Sequence, residues 1–155
     1  MAIRVLKEVD RLEGFPIETG ATIIAGQPVK LTSAGKILPF DAAAGEAAIG
    51  FADVHTQPLP IAPVGGGPTV GLGYDYTDFA RGGLVGAYID GGVFEMYDDG
   101  RGAPYVTTDT YVVNKPVYAN AAGKVTSVST DNFLVGYCMA FTGAPVTLLK
   151  IKSVL

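Results

Sequence analysis

A chain of 155 residues is the size of one domain and is long enough to bury about two-thirds of its unfolded surface. With 48% apolar and 17% charged residues it is not globally disordered, and its apolar runs are too short and too broken by glycine and proline to span a bilayer as helices. Eleven basic against fifteen acidic residues leave a net charge of −4, which speaks against nonspecific nucleic-acid binding, and a single cysteine excludes an intrachain disulfide or a cysteine-based metal cluster.

In chain order, "AIRVLKEVDRLEGF" comes first, with Ile3, Leu6, Val9 and Leu12 at intervals of three. The spacing fits a short amphipathic helix, or an arm that orders only against a partner. The segment lacks the apolar core of a signal peptide, so no cleaved leader is expected. Next, "GQPVKLTSAGKI" reads as a hairpin: Val29 and Leu31 on one face, a turn at Gly35, and Ile37 resuming the apolar run. Gly50 in "AIGFA" then stands inside a short strand, where glycine marks a bulge or a sharp bend.

From Thr56 to Gly73 the chain carries four prolines and no charge. Such a loop either packs on its own domain or forms a contact surface for another chain, the prolines limiting the entropy lost on docking. A third hairpin is expected at "LVGAYID-GG-VFEMY", turning at Asp90-Gly91-Gly92. Between Asp75 and Asp109 lie seven acidic and two basic residues, the pattern of a solvated surface or of a site for a basic partner. "NKPVYANAAGKV" then repeats the first hairpin, with Val117, Ala119, Gly123 and Val125 in the places of Val29, Leu31, Gly35 and Ile37, and Gly136 in "LVGYC" answers Gly50. In the final "APVTLLKIKSVL", Thr147, Leu149 and Ile151 are set to face inward and Lys150 and Lys152 outward. The predicted fold is all-β: a small barrel or sandwich built from two related hairpin units, with residues 1–15 as an N-terminal arm, residues 16–155 as one domain and an insert at about 56–83.

Catalytic chemistry finds little to stand on. The one histidine, His55, has Asp53 two residues away and sits beside the proline-rich loop, a context that favours a surface or interface position. None of the serines 33, 127, 129 and 153 lies in a G-x-S-x-G turn. Asp90, Glu95, Asp98 and Asp99 lack calcium-loop spacing, and "GGGPTVGLG" is not a dinucleotide fingerprint. Cys138, inside "LVGYCMAF", reads as a small buried hydrophobe. Neither an enzyme, a metal nor a cofactor is expected. Tyrosines 74, 76, 88, 97 and 105 leave a carbohydrate-binding barrel open as an alternative.

The two hairpins with their glycine strands, together with "GGVFEMY", resemble the head-decoration (capsid cement) proteins of tailed bacteriophages. The resemblance runs over roughly Ala21 to Phe51 and Leu84 to Leu155, and leaves out the N-terminal segment and the insert. It implies a non-enzymatic virion protein, made in the host cytoplasm, on the outer surface of an icosahedral head. Its partners would be the major capsid protein and copies of itself, as a trimer or less often a dimer, with no nucleic acid and no membrane. A tail or fibre module would use similar β grammar. The partner contacts are expected at the two non-repeating segments: Ile3, Arg4 and Leu6 in the arm, and Pro58, Leu59, Ile61, Pro63 and Val64 in the insert.

Overall fold

A computed structural model describes residues 3–7, 11–43, 45–56, 59–61, 73–75 and 83–155. Among them the chain is all-β. Its strands are β1 (Ile3–Lys7), β2 (Arg11–Pro16), β3 (Pro28–Leu31), β4 (Ile37–Pro39), β5 (Gly50–Ala52), β6 (Leu59–Ile61) and β7 (Gly73–Asp75). They continue as β8 (Leu84–Ile89), β9 (Val93–Tyr97), β10 (Pro116–Ala119), β11 (Val125–Thr126), β12 (Phe133–Thr142) and β13 (Leu148–Ser153). A six-stranded sheet runs β1-β9-β13-β12-β10-β11, a five-stranded sheet runs β2-β8-β5-β3-β4, and β6 pairs with β7 alone. All strand pairs are antiparallel.

The repeat in the sequence is a repeat in three dimensions. One unit, β3-β4-β5, belongs to the five-stranded sheet, and the other, β10-β11-β12, to the six-stranded sheet. Both turns close identically: Thr32 and Asn120 N–H donate to the Lys36 and Lys124 carbonyls, and Gly35 and Gly123 donate back to residues 32 and 120. The side chains of Thr32 and Asn120 accept the N–H of Lys36 and Lys124, and both glycines have positive φ, which side-chain-bearing residues avoid. Val29 faces Gly50 across the ladder as Val117 faces Gly136. The correspondence reaches back before the hairpins, where Ile17 bridges Ile37 and Tyr105 bridges Val125, both in parallel.

These units stack front to back, not face to face. The front of the second unit (Val117, Val125, Cys138) joins Leu149, Ile151, Phe94 and Met96 in the main core. What closes that core is the back of the first unit, through Phe40, Ala48 and Phe51. Phe51 and Tyr88 both lie on Phe94, with ring centroids 5.3 and 5.4 Å away. Each fully buried phenylalanine contributes about 2–3 kcal/mol of apolar burial, and each tilted ring pair roughly 1 kcal/mol more. The front of the first unit (Val29, Ile37, Ala52) forms a second core with Val85, Ala87 and the loop residue Ile23. The centre of the five-stranded sheet is thus covered on both faces, while Leu31 and Leu84 at its strand ends stay exposed.

Three expectations are corrected. First, "LVGAYIDGGVFEMY" is not a hairpin: β8 and β9 belong to different sheets. Gly91 and Gly92, with φ of 88° and 119°, lead the chain across the sandwich and bond the C-terminal strand instead, Gly91 N–H to the Leu155 carbonyl and Ser153 N–H to the Gly92 carbonyl. Second, the described parts of the segment with apolar residues every third position, Ile3–Lys7 and Arg11–Pro16, are strands and not helix. They supply β1 to the edge of one sheet and β2 to the edge of the other, and β-branched residues such as Ile3 and Val5 suit a pleated strand. Third, strict alternation fails in β3, where Lys30 is buried and Leu31 is exposed. Lys30 is covered by the two carboxylates it pairs with, Asp41 and Glu46, which are themselves exposed. In β13, Leu149 and Ile151 do face inward, while Thr147 falls in the preceding turn and is exposed.

Candidate interaction surfaces

His55 follows β5 and is only 1% exposed, so it is neither a surface nor an interface residue within this fold. Its Nδ1 accepts the N–H of Ala25 at 3.2 Å, and its Nε2 lies 2.9 Å from Asp99 Oδ2. A backbone donor on Nδ1 requires that nitrogen to be bare, so the proton sits on Nε2 and is donated to the carboxylate. Arg101 Nη2 approaches the same oxygen at 3.3 Å. With both ring nitrogens engaged, His55 joins the loops before β3 and after β9; it is not poised as a general base. Asp53, its neighbour in sequence, accepts the N–H of Gly86 at 2.9 Å. Burial holds the Asp53 carboxyl above its usual range.

The other titratable groups are likewise structural. The hydrogen bonds that Lys30 donates to Asp41 and then to Glu46 raise its ammonium above its ordinary range, so it is a cation and not a nucleophile. Asp98 Oδ1 accepts the N–H groups of Gly100 (2.8 Å) and Gly102 (3.0 Å), which shapes the turn that had looked like a calcium candidate. Asp109 accepts from the Thr126 hydroxyl and, at 2.8 Å, from Ser127 N–H, tying the loop before β10 to the strand after it. Cys138 is fully buried, and burial pushes its thiol upward. Among the described residues, Tyr88 and Tyr105 are committed to internal packing and offer no sugar-stacking platform. Tyr105 is fully buried, with its hydroxyl pushed up to about 12 by desolvation first and the Asp98 charge second. Tyr88 is half-buried against Phe94, and Tyr76 lies outside the described residues.

The expected contact residues divide between the two non-repeating segments. Ile3 is buried in the main core opposite Met96. Arg4 stands opposite Glu95 in the ladder, and Leu6 sits at the bulge between Val5 and Lys7. What β1 offers outward is therefore a sheet edge, the template for pairing with another strand. Leu59 and Ile61 lie on β6, opposite Asp75 and Gly73 of β7. Pro58, Pro63 and Val64 fall outside the described residues.

Two surfaces went unmarked in the sequence reading. One is the outer face of the six-stranded sheet, where Leu134, Tyr137 and Met139 of β12 are 38–40% exposed. The signal was available: "LVGYCMAF" is apolar at nearly every position, and a strand with two apolar faces needs a cover on each. The other is a groove of about 470 Å³ between the 107–111 loop and the 141–146 turn, with Tyr111, Phe141, Pro145 and Val146 among its walls.

No family model matches this chain, and no curated protein matches it. Among solved structures, a chain from "The capsid of Myoviridae Phage XM1" matches at a TM-score of 0.54 and 20% identity, over 96% of this chain and 90% of that one. The two chains share a fold along nearly their whole lengths.

Proposed function

We propose that this protein is a structural component of a tailed-phage virion that binds the outside of the icosahedral head and reinforces contacts between capsomers. The carrying observation is the fold shared end to end with a chain of a myovirus capsid. Three features agree with it: the order of the decoration-protein motifs, the commitment of His55 to internal bonds, and large apolar side chains left exposed on a folded sheet. The partners would be the major capsid protein and sister copies, with a trimer favoured. The edge strand β1, through Arg4 and Leu6, would add to a capsid strand, and the insert around Leu59 and Ile61 would meet a sister subunit. Many copies, each bridging two or three shell subunits, would turn modest contacts into strong reinforcement. The test is heat protection: expanded heads lacking decoration are warmed with and without the purified protein. The proposal expects their disruption temperature to rise, and an unchanged temperature at saturating protein rejects it.

A further inference from the structure

Because the two units repeat, each surface position on one has a counterpart on the other whose fate can be compared. Both strands β5 and β12 carry a glycine opposite a valine, and the residue after that glycine is Phe51 in one and Tyr137 in the other. Phe51 is fully buried, whereas Tyr137 is 40% exposed. Two residues before the glycine, Ala48 is 5% exposed and Leu134 is 38% exposed. Phe40, three residues after Ile37, is buried, while Val128, three residues after Val125, is 50% exposed. The back of the first unit is covered by the front of the second. The back of the second unit carries apolar residues at the same positions and has no layer over it among the described residues. Head-to-tail stacking of this kind leaves an unmatched end by construction.

We infer that the outer face of the six-stranded sheet, centred on Leu134 and Tyr137 and joined by Val128 in the loop after β11, is the surface that docks on the shell subunit, against an apolar patch bordered by carboxylates. The inference rests on the head-binding reading above and names the surface responsible. Charge selects the partner. Tyr137 pairs across the ladder with Lys152, whose other ladder neighbour is Val93; Lys150, two residues earlier on the strand, stands opposite Glu95, so Lys152 is the cation that borders the apolar centre. Two copies pressed back to back would bring these lysine-edged faces together, which disfavours a second copy as the cover. The position of Lys152 is itself informative: its counterpart opposite Phe51 is Tyr88, half-buried and packed against the core. The face therefore keeps the apolar centre of the internal interface and adds a charged border suited to a separate partner.

The test compares Tyr137→Asp, Lys152→Glu and a control, Leu84→Asp, whose wild-type side chain is 53% exposed on the other sheet. Binding to expanded, undecorated heads is measured by co-sedimentation, and thermal melting and sizing report fold and mass. We expect both face variants to melt as wild type and bind at least tenfold more weakly, with Leu84→Asp unchanged. Wild-type binding should weaken with salt, and less steeply in Lys152→Glu. Should Tyr137→Asp misfold, Lys152→Glu carries the test alone. Folded face variants that bind as wild type overturn the inference and spare the head-binding reading; so does a drop in oligomeric mass with shell affinity intact, which assigns the face to self-association. A wild-type protein that binds no head overturns the reading itself and the inference with it.

Discussion

Adding one methyl group at Gly136 tests the account of why both units place a glycine in the same strand. A Cβ built there lies 2.4 Å from the Lys152 carbonyl oxygen, and one at Gly50 lies 2.3 Å from the Tyr88 carbonyl oxygen. Ordinary carbon–oxygen contact is near ~3.3 Å, so each substitution demands almost an ångström of movement from paired backbone. Neither carbonyl can yield without opening the neighbouring ladder, β12–β13 in one case and β5–β8 in the other. Overpacking of this kind costs about 1–3 kcal/mol, and a disrupted ladder hydrogen bond adds about 1 kcal/mol. Gly136→Ala and Gly50→Ala should each lose about 2–4 kcal/mol, lowering Tm by roughly 5–15 °C in a domain of this size. Gly14 of β2 is the control: a Cβ there meets nothing within 4 Å, and its φ is not positive. Gly14→Ala should be neutral or stabilising by up to about 1 kcal/mol. Urea unfolding with calorimetry reads all three. A Gly136→Ala protein within about 0.5 kcal/mol of wild type would refute the close-approach argument.

Three further outcomes follow from the titratable and polar groups. His55→Leu leaves the Ala25 N–H and the Asp99 carboxylate without a ring partner, and should cost about 2–4 kcal/mol in urea unfolding. The Lys30 hydrogen bond holds the Asp41 carboxyl below its unfolded value of 3.8, so its contribution is present above that pH and lost as pH falls through the folded value. Lys30 is raised above 10.5, so its share is present below that pH and lost as pH rises through its folded value. Asp41→Asn should therefore show a shallower loss of stability as pH falls below about 4 than wild type, read from acid-dependent Tm; an identical slope contradicts the pairing. The Cys138 thiol, fully buried and shifted upward, should resist an aromatic disulfide reagent in the native protein and react completely in denaturant.

The local design of this chain was largely written in its sequence. Pro28, Gly35 and Gly50 and their echoes Pro116, Gly123 and Gly136 mark where each strand starts, turns and meets a neighbour, because proline and glycine constrain the backbone by themselves. Legibility fails where the determinant is a distant layer. Asp90-Gly91-Gly92 supplies the positive φ of a hairpin turn and also of a crossover, and only the C-terminal strand waiting at Leu155 decides between them. Ile3 and Leu12 sit at a spacing that suits a helix, yet edge positions on two sheets claim the segment as strands. Phe51 and Tyr137 occupy the same place in the same pattern, and burial separates them because one sheet back is covered and the other is not. The candidate contacts show the same divide. The arm and insert stood out because they do not repeat, while the β12 face was hidden inside a run that read as core.

The central claim is attachment to the outside of a phage head, and imaging tests it most directly. Undecorated, expanded heads of tailed phages are mixed with the purified protein and viewed by electron cryomicroscopy with icosahedral averaging. The account predicts added density at fixed outer-surface positions that fits this two-sheet fold, with the face bearing Leu134 and Tyr137 turned toward the shell. Heads that remain bare at saturating protein, or density confined to the tail, would contradict it.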